Sequence, residues 1–192
     1  MNKQSACLDL TFKRIFFLFA IVVCSLNITI GQKSVSQRSL IENWKFKEEG
    51  TLKWLPAKVP GCIHTDLLEN GIIKDPFYRL NESEVQWVDK KDWVYINYFK
   101  TTNNELNAPN NELIFEGIDT YSRVYLNDSL ILQSNNMHRT YTVDVSNLLK
   151  KDSNCLKVIL ESPIRKGLEL YDALDYKIPV SANDQAETGE IP

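Results

Sequence analysis

The chain has 192 residues, 43% of them hydrophobic, and a formal net charge of −3. That length suits one domain with its own core. A mildly acidic chain without a Lys/Arg cluster excludes nucleic acid and an anionic membrane surface as expected partners.

The first 31 residues read as a secretory signal. Lys13 and Arg14 supply the positive region, Ile15 to Val23 is an unbroken apolar run, and Thr29-Ile30-Gly31 offers a small-residue cleavage site before Gln32. The run is well short of the ~20 residues of a membrane span, so cleavage is favoured over a retained anchor. Cys24 raises a lipoprotein alternative, which Val23 before it weakens, because such signals want a small residue there. Cleavage would lower the basic residues from 22 to 19 and the acidic from 25 to 24, a net charge of about −5. The expectation is a secreted, periplasmic or lysosomal-type lumenal protein with no membrane contact after cleavage. Of four cysteines only Cys62 and Cys155 would remain. Their separation makes no metal pattern; a disulfide is open, and two separately buried thiols are the simpler expectation.

After a Trp44-containing segment, one short stretch looks helical. Thr65 can cap it, Leu67 and Leu68 supply its apolar side, and Gly71 can end it in a left-handed conformation. His64 at its start has no Cys or second His nearby, so a structural hydrogen bond is favoured over a metal or base role. Asp75-Pro76 fixes a turn, and an acidic loop follows. From Asp92 the pattern changes to a period of two. Trp93, Tyr95 and Phe99 share one side, Val94, Ile96 and Tyr98 the other, so this strand is expected inside a layered structure. Asn103 to Asn111 reads as a polar loop. Leu113 to Phe115 is a strand; Tyr121 to Leu126 and Leu130 to Leu132 form a hairpin around Asn127-Asp128. The Asp119-Thr120 pair is expected to turn the chain into that hairpin by side-chain hydrogen bonding. Tyr141, Val143 and Val145 alternate, Ser146 can cap a turn over 147–151, and Leu156, Val158 and Leu160 form the last strand. Residues 166–192 are expected to be a loop or truncated tail. The pattern predicts an all-β sandwich with a short helical insert.

The order of motifs from Trp44 to Met137 is more specific than this pattern. It runs Val59-Pro60-Gly61, His64, Asp66-Leu67-Leu68, Asp75-Pro76-Phe77-Tyr78, Asn81-Glu82, Val85-Gln86-Trp87-Val88 and Asp92-Trp93-Val94-Tyr95. It continues through Phe115-Glu116-Gly117-Ile118-Asp119-Thr120, Val124-Tyr125-Leu126-Asn127 and Asn136-Met137. This series resembles the opening of the β-mannosidases of glycoside hydrolase family 2, over roughly residues 44 to 160. The resemblance implies a jelly-roll, galactose-binding-like domain over residues 32–165, lacking its last strand. It also implies a parent that removes terminal β-mannose from non-reducing ends by a retaining double displacement, and a C-terminal catalytic barrel as the domain's partner. Such a (β/α)8 barrel takes about 250 residues, so the catalytic residues are expected outside this chain, with no cofactor and no metal. The family's Trp-Asp-Trp-Gly-Pro motif, which contacts substrate, is not found before Pro192, so no residue of that type carries over.

Glu82, Glu84, Asp89 and Asp92 lack the spacing signal of the paired carboxyls that hydrolysis needs. Trp54, Trp87 and Trp93 could each stack on a sugar ring, although alternation assigns Trp93 to the core. The substrate- or domain-interface candidates are therefore Asn81, Glu82, Gln86 and Trp87. The alternative is a free-standing carbohydrate-binding module or a docking domain without catalysis.

Overall fold

The computed structural model describes residues 35–176. The expected leader and the end of the expected tail lie outside them. Residues 35–39 belong to a separate unit and carry no regular structure; the domain starts at Leu40.

The elements in chain order are β1 (Lys45–Glu48), β2 (Leu55–Pro56), α1 (Ile63–Glu69), a 3-10 turn (Asn81–Glu84), β3 (Trp93–Phe99), α2 (Asn103–Leu106), β4 (Glu112–Phe115), β5 (Tyr121–Leu126), β6 (Ser129–Asn135), β7 (Tyr141–Asp144), β8 (Asn154–Leu160) and α3 (Pro163–Asp172). All strand pairings are antiparallel. Six strands form one sheet in the order β2-β1-β3-β8-β5-β6, and β4 pairs with β7 in a second. This is the expected sandwich with an open second sheet.

The core explains the layering. Phe46, Trp93, Tyr95, Val124, Leu126, Leu156 and Val158 of the large sheet form one cluster with Leu67 of α1, Val85, Val88 and Val145, and Leu113, Phe115 and Val143 of the small sheet pack against it. The Phe46 ring lies 5.5 Å from that of Tyr95 and 5.8 Å from that of Trp93. Each such side chain contributes roughly 1.5–3 kcal/mol through burial. In β3 the first five residues are buried, as the apolar pattern on both sides requires.

The hairpin forms as read. Asn127 and Asp128 have φ of 50° and 68°, the left-handed pair that matches the twist of the flanking strands. The Asn127 amide donates to the Leu148 carbonyl at 2.7 Å and to Asn154 Oδ1 at 2.9 Å. One extra residue bulges β6 opposite the Val124–Tyr125 step. Ahead of the hairpin, the Thr120 hydroxyl donates to the Asp119 carboxylate, as anticipated.

Several expectations need correction. The first helix starts at Ile63, with Cys62 as its cap and Thr65 three residues in, where its hydroxyl accepts from Cys62 N and donates to Cys62 O. Gly71 is left-handed at φ 68° as expected. His64 is exposed, and no hydrogen bond of its side chain is found among the described residues. The loop read over Asn103 to Asn111 holds α2, because Thr102 and Glu105 cap each other's backbone. Residues 166–172 are helical, because Ser162 caps α3 through Arg165 N and Pro163 fits its first turn. After β7 it is Asp144 that caps the turn, accepting from Ser146 N and Oγ at 2.9 and 2.6 Å; Ser146 Oγ accepts instead from Asn111 N. Cys62 and Cys155 are unpaired, and Cys62 is exposed where a buried thiol was expected.

Candidate functional site at one rim of the sandwich

Strand register gathers the distinctive loops at one end. Trp93 pairs with Leu160, Leu160 with Ser122, and Ser122 with Ser134. This row forms one edge of the large sheet. The segment before Trp93, the 116–120 connection, the 136–140 connection and the start of α3 all leave from it. The motif residues between Asp75 and Trp87, around Asp119 and at Asn136-Met137 therefore share one rim.

The loop from Asp75 to Asp92 is built by its own polar groups. Asp75 Oδ1 accepts from Phe77 N at 3.0 Å, and the Asp75 carbonyl from Tyr78 N at 3.1 Å. The Asn81 amide closes the turn by donating to that carbonyl at 2.9 Å. Gln86 Nε2 donates to the Glu82 carbonyl at 3.1 Å. Buried Val85 and Val88 anchor the loop in the core, and Trp93 Nε1 donates to the Val88 carbonyl at 2.9 Å. The Trp87 ring lies 6.0 Å from that of Trp93, tilted by 45°.

The four sequence-derived candidates thus come together in one loop, and their geometry divides them. Asn81 and Gln86 hold the backbone, Glu82 is exposed, and half-buried Trp87 packs against the core. The free apolar surface belongs to neighbours that sequence reasoning passed over. Phe77 is 98% exposed and Leu80 82%, with Tyr78 beside them carrying the Arg79 guanidinium 5.1 Å above its ring. Arg79 takes a left-handed φ of 56°, which turns the tip outward. A Pro-Phe-Tyr run inside an acidic, non-alternating segment was the available signal: apolar side chains without a period have no sheet side to bury against.

The remaining tryptophans divide by burial. Trp44 and Trp93 are buried, while Trp54 is 36% exposed beneath Lys47 Nζ at 5.0 Å.

Two of the carboxylates at this rim, Asp92 and Glu84, are held by basic partners. Asp92 accepts from Ser162 N at 2.7 Å and from Arg165 Nη2 at 2.6 Å. Partial burial pushes its carboxyl up, but the bonds from Ser162 and Arg165 and the Arg165 charge outweigh it and hold the group below its ordinary range. A general acid needs the opposite shift. Glu84 is paired with Lys74 at 3.0 Å. No cluster of three or more metal-ligating side chains occurs among the described residues.

Comparison with known proteins agrees with this architecture. Residues 44–190 match the family described as glycosyl hydrolase 2 galactose-binding domain-like. The chain is 35% identical over 147 residues to a β-mannosidase of Capra hircus, covering 77% of this chain and 16% of that protein. The crystal structure of the β-D-mannosidase from Dictyoglomus thermophilum superposes with a TM-score of 0.70 at 44% identity, over 71% of this chain and 17% of that one. An exo-chitosanase of Amycolatopsis orientalis, at 16% identity and a TM-score of 0.58 over 66% of this chain and 17% of that one, shares the fold. The chain thus spans about one sixth of the length of the relatives it matches. From the jelly-roll layering, the rim motifs and the match over 44–190, the chain belongs to the galactose-binding-like domain family of glycosyl hydrolase 2.

Proposed function

We propose that this domain serves a β-mannosidase-type hydrolase that removes terminal β-mannose from non-reducing ends, and that its rim loop seats the domain against the catalytic barrel. The 44% identity to the Dictyoglomus β-D-mannosidase is the observation that carries the reading. Support for the contact comes from Phe77, Tyr78 and Leu80, which stand in solvent on a loop pinned at both ends. Exposed apolar side chains on a rigid mount suit a protein partner. Export by residues 1–31 would place the hydrolase in an extracytoplasmic compartment. The domain itself contributes no catalytic carboxyl in this reading.

A chimera tests it. The chain replaces the first domain of the Dictyoglomus enzyme, and hydrolysis of p-nitrophenyl β-D-mannoside is followed. Activity is expected in the chimera and not in the 192-residue chain alone. A soluble, folded chimera that is inactive on β-mannoside would overturn the proposal. For the alternative of a free-standing sugar-binding module, Trp93 is buried and Trp87 packs inward, which leaves Trp54 as the exposed one of the three stacking candidates.

A further inference from the structure

The outer side of the six-stranded sheet has a chemistry of its own. Register defines two adjacent rows across β1, β3, β8 and β5: Lys45, Ile96, Lys157 and Tyr125 in one, and Lys47, Val94, Ile159 and Arg123 in the other. These positions alternate with Phe46, Tyr95, Val158 and Val124 of the core, so all eight face away from it.

Val94, Ile96 and Ile159 are nonetheless 6–8% exposed without joining the core cluster. Lys157 Nζ sits 4.8 Å over the Tyr125 ring, and Lys47 Nζ sits over Trp54 at the sheet's edge. The six strands place no carboxylate on this side. Glu161, just past β8, is shared by Arg123 at 3.6 Å and Lys166 at 3.8 Å. Three lysines, Lys45, Lys47 and Lys157, therefore face one way on a chain whose net charge is −3, with Arg123 beside them paired to Glu161.

With strands about 4.8 Å apart, Lys45 and Lys157 are about 10 Å apart at the backbone, and Lys47 and Arg123 about 14 Å. Two clefts of about 290 and 310 Å³ lie beside Arg165 at the α3 end instead. A flat surface with spaced cations does not enclose a small anion; it suits a polymer that repeats its charge. Exposed aromatic rings, including Tyr98 at 62%, add platforms on which sugar rings stack. We propose that this sheet surface binds an acidic glycan, a polysaccharide carrying carboxylate or sulfate groups on its rings. The lysines would meet the charges, and exposed Tyr98 a ring face. This reading stands apart from the role of the rim loop.

Affinity electrophoresis of the 192-residue chain tests it, in gels containing polygalacturonate, dextran sulfate, neutral mannan or polyglutamate. Retardation by at least one acidic glycan is expected, weakening with salt, with none in mannan; the two acidic gels separate carboxylate from sulfate recognition. The double variant Lys45→Glu/Lys157→Glu should raise the apparent Kd about tenfold or more, and Lys74→Glu/Lys91→Glu, in the segment before β3, should leave it within about twofold. Lys157→Gln removes the charge with a side chain of similar shape, so it should weaken retardation even if the double variant misfolds. Equal retardation by polyglutamate would replace the proposal with an acidic-peptide surface. No retardation by either acidic glycan, or equal sensitivity of the two double variants, would overturn it.

Discussion

The Tyr95 hydroxyl donates a 2.7 Å hydrogen bond to Asp66 Oδ2, joining the centre of β3 to α1 inside the core. Asp66 is 1% exposed and also accepts from Lys58 N at 2.9 Å. Burial, then the bond to Asp66 and its negative charge, push the Tyr95 phenol well above its ordinary value of 10.0. A raised folded value means that stability is fully present below about pH 10 and declines above it, where the unfolded chain releases a proton that the folded one retains. Tyr95→Phe should remove that alkaline loss. Asp66→Ala, which orphans both donors, should cost about 2–4 kcal/mol at pH 7. Urea midpoints between pH 7 and 11 check both, and an unchanged alkaline slope in Tyr95→Phe would contradict the assignment.

Asp92 and Arg165 tie the rim to the start of α3. Because the Asp92 carboxyl is held below its ordinary 3.8, its contribution is present above that pH and lost as pH falls through the lower folded value. Arg165 is 45% exposed on its side chain, so Arg165→Ala should cost only about 0.5–1 kcal/mol. Asp92→Ala also leaves Ser162 N without its acceptor and should cost about 1–2 kcal/mol. Amide exchange across 163–172 should accelerate in both variants and more in Asp92→Ala; equal protection in all three proteins would show that α3 is held by other means.

The turn at Asp128 gives a signed comparison. At φ 68° a glycine is free of the penalty a side chain meets. Asp128→Gly should be neutral or stabilising by up to about 1 kcal/mol. Asp128→Val should cost about 1–2 kcal/mol, since a branched Cβ resists this conformation. Thermal melts of the pair settle the order.

Phe77→Ala and Leu80→Ala should change thermal stability little, within about 0.5 kcal/mol, because both side chains lie almost wholly in solvent. In the chimera with a mannosidase barrel the same pair should lower β-mannoside hydrolysis about tenfold or more, as loss of hot-spot contacts does. A large melting shift in the isolated chain, or unaltered hydrolysis in the chimera, would remove these residues from the domain contact.

The strands from β3 onward were legible because their alternation is written in large apolar residues: Trp93, Tyr95 and Phe99 have no rival place in a sandwich. Short helices were less so. Cys62 to Thr65, Thr102 to Glu105 and Ser162-Pro163 are all start signals, yet none is followed by a long apolar period. Thr102 to Glu105 was read as loop because Asn103, Asn104 and Pro109 argue for one. At the rim, Asn81 and Gln86 were recognisable as residues with a task, and the structure shows that task to be internal. The direction of Phe77 and Leu80 depends on the left-handed Arg79 and on the Asn81 bond to Asp75, which no single-residue propensity encodes.

The pairing of the Trp87 and Trp93 rings also gives the domain a built-in optical gauge. Two indoles this close couple their electronic transitions, so the seated loop should show a signed doublet in circular dichroism. Trp54, partly in water under Lys47, should supply the red side of the emission instead. Whatever lifts the loop from the sheet should erase the doublet and leave that emission in place, while whatever covers the lysine surface should do the reverse, so one cuvette reads the two surfaces of the molecule separately.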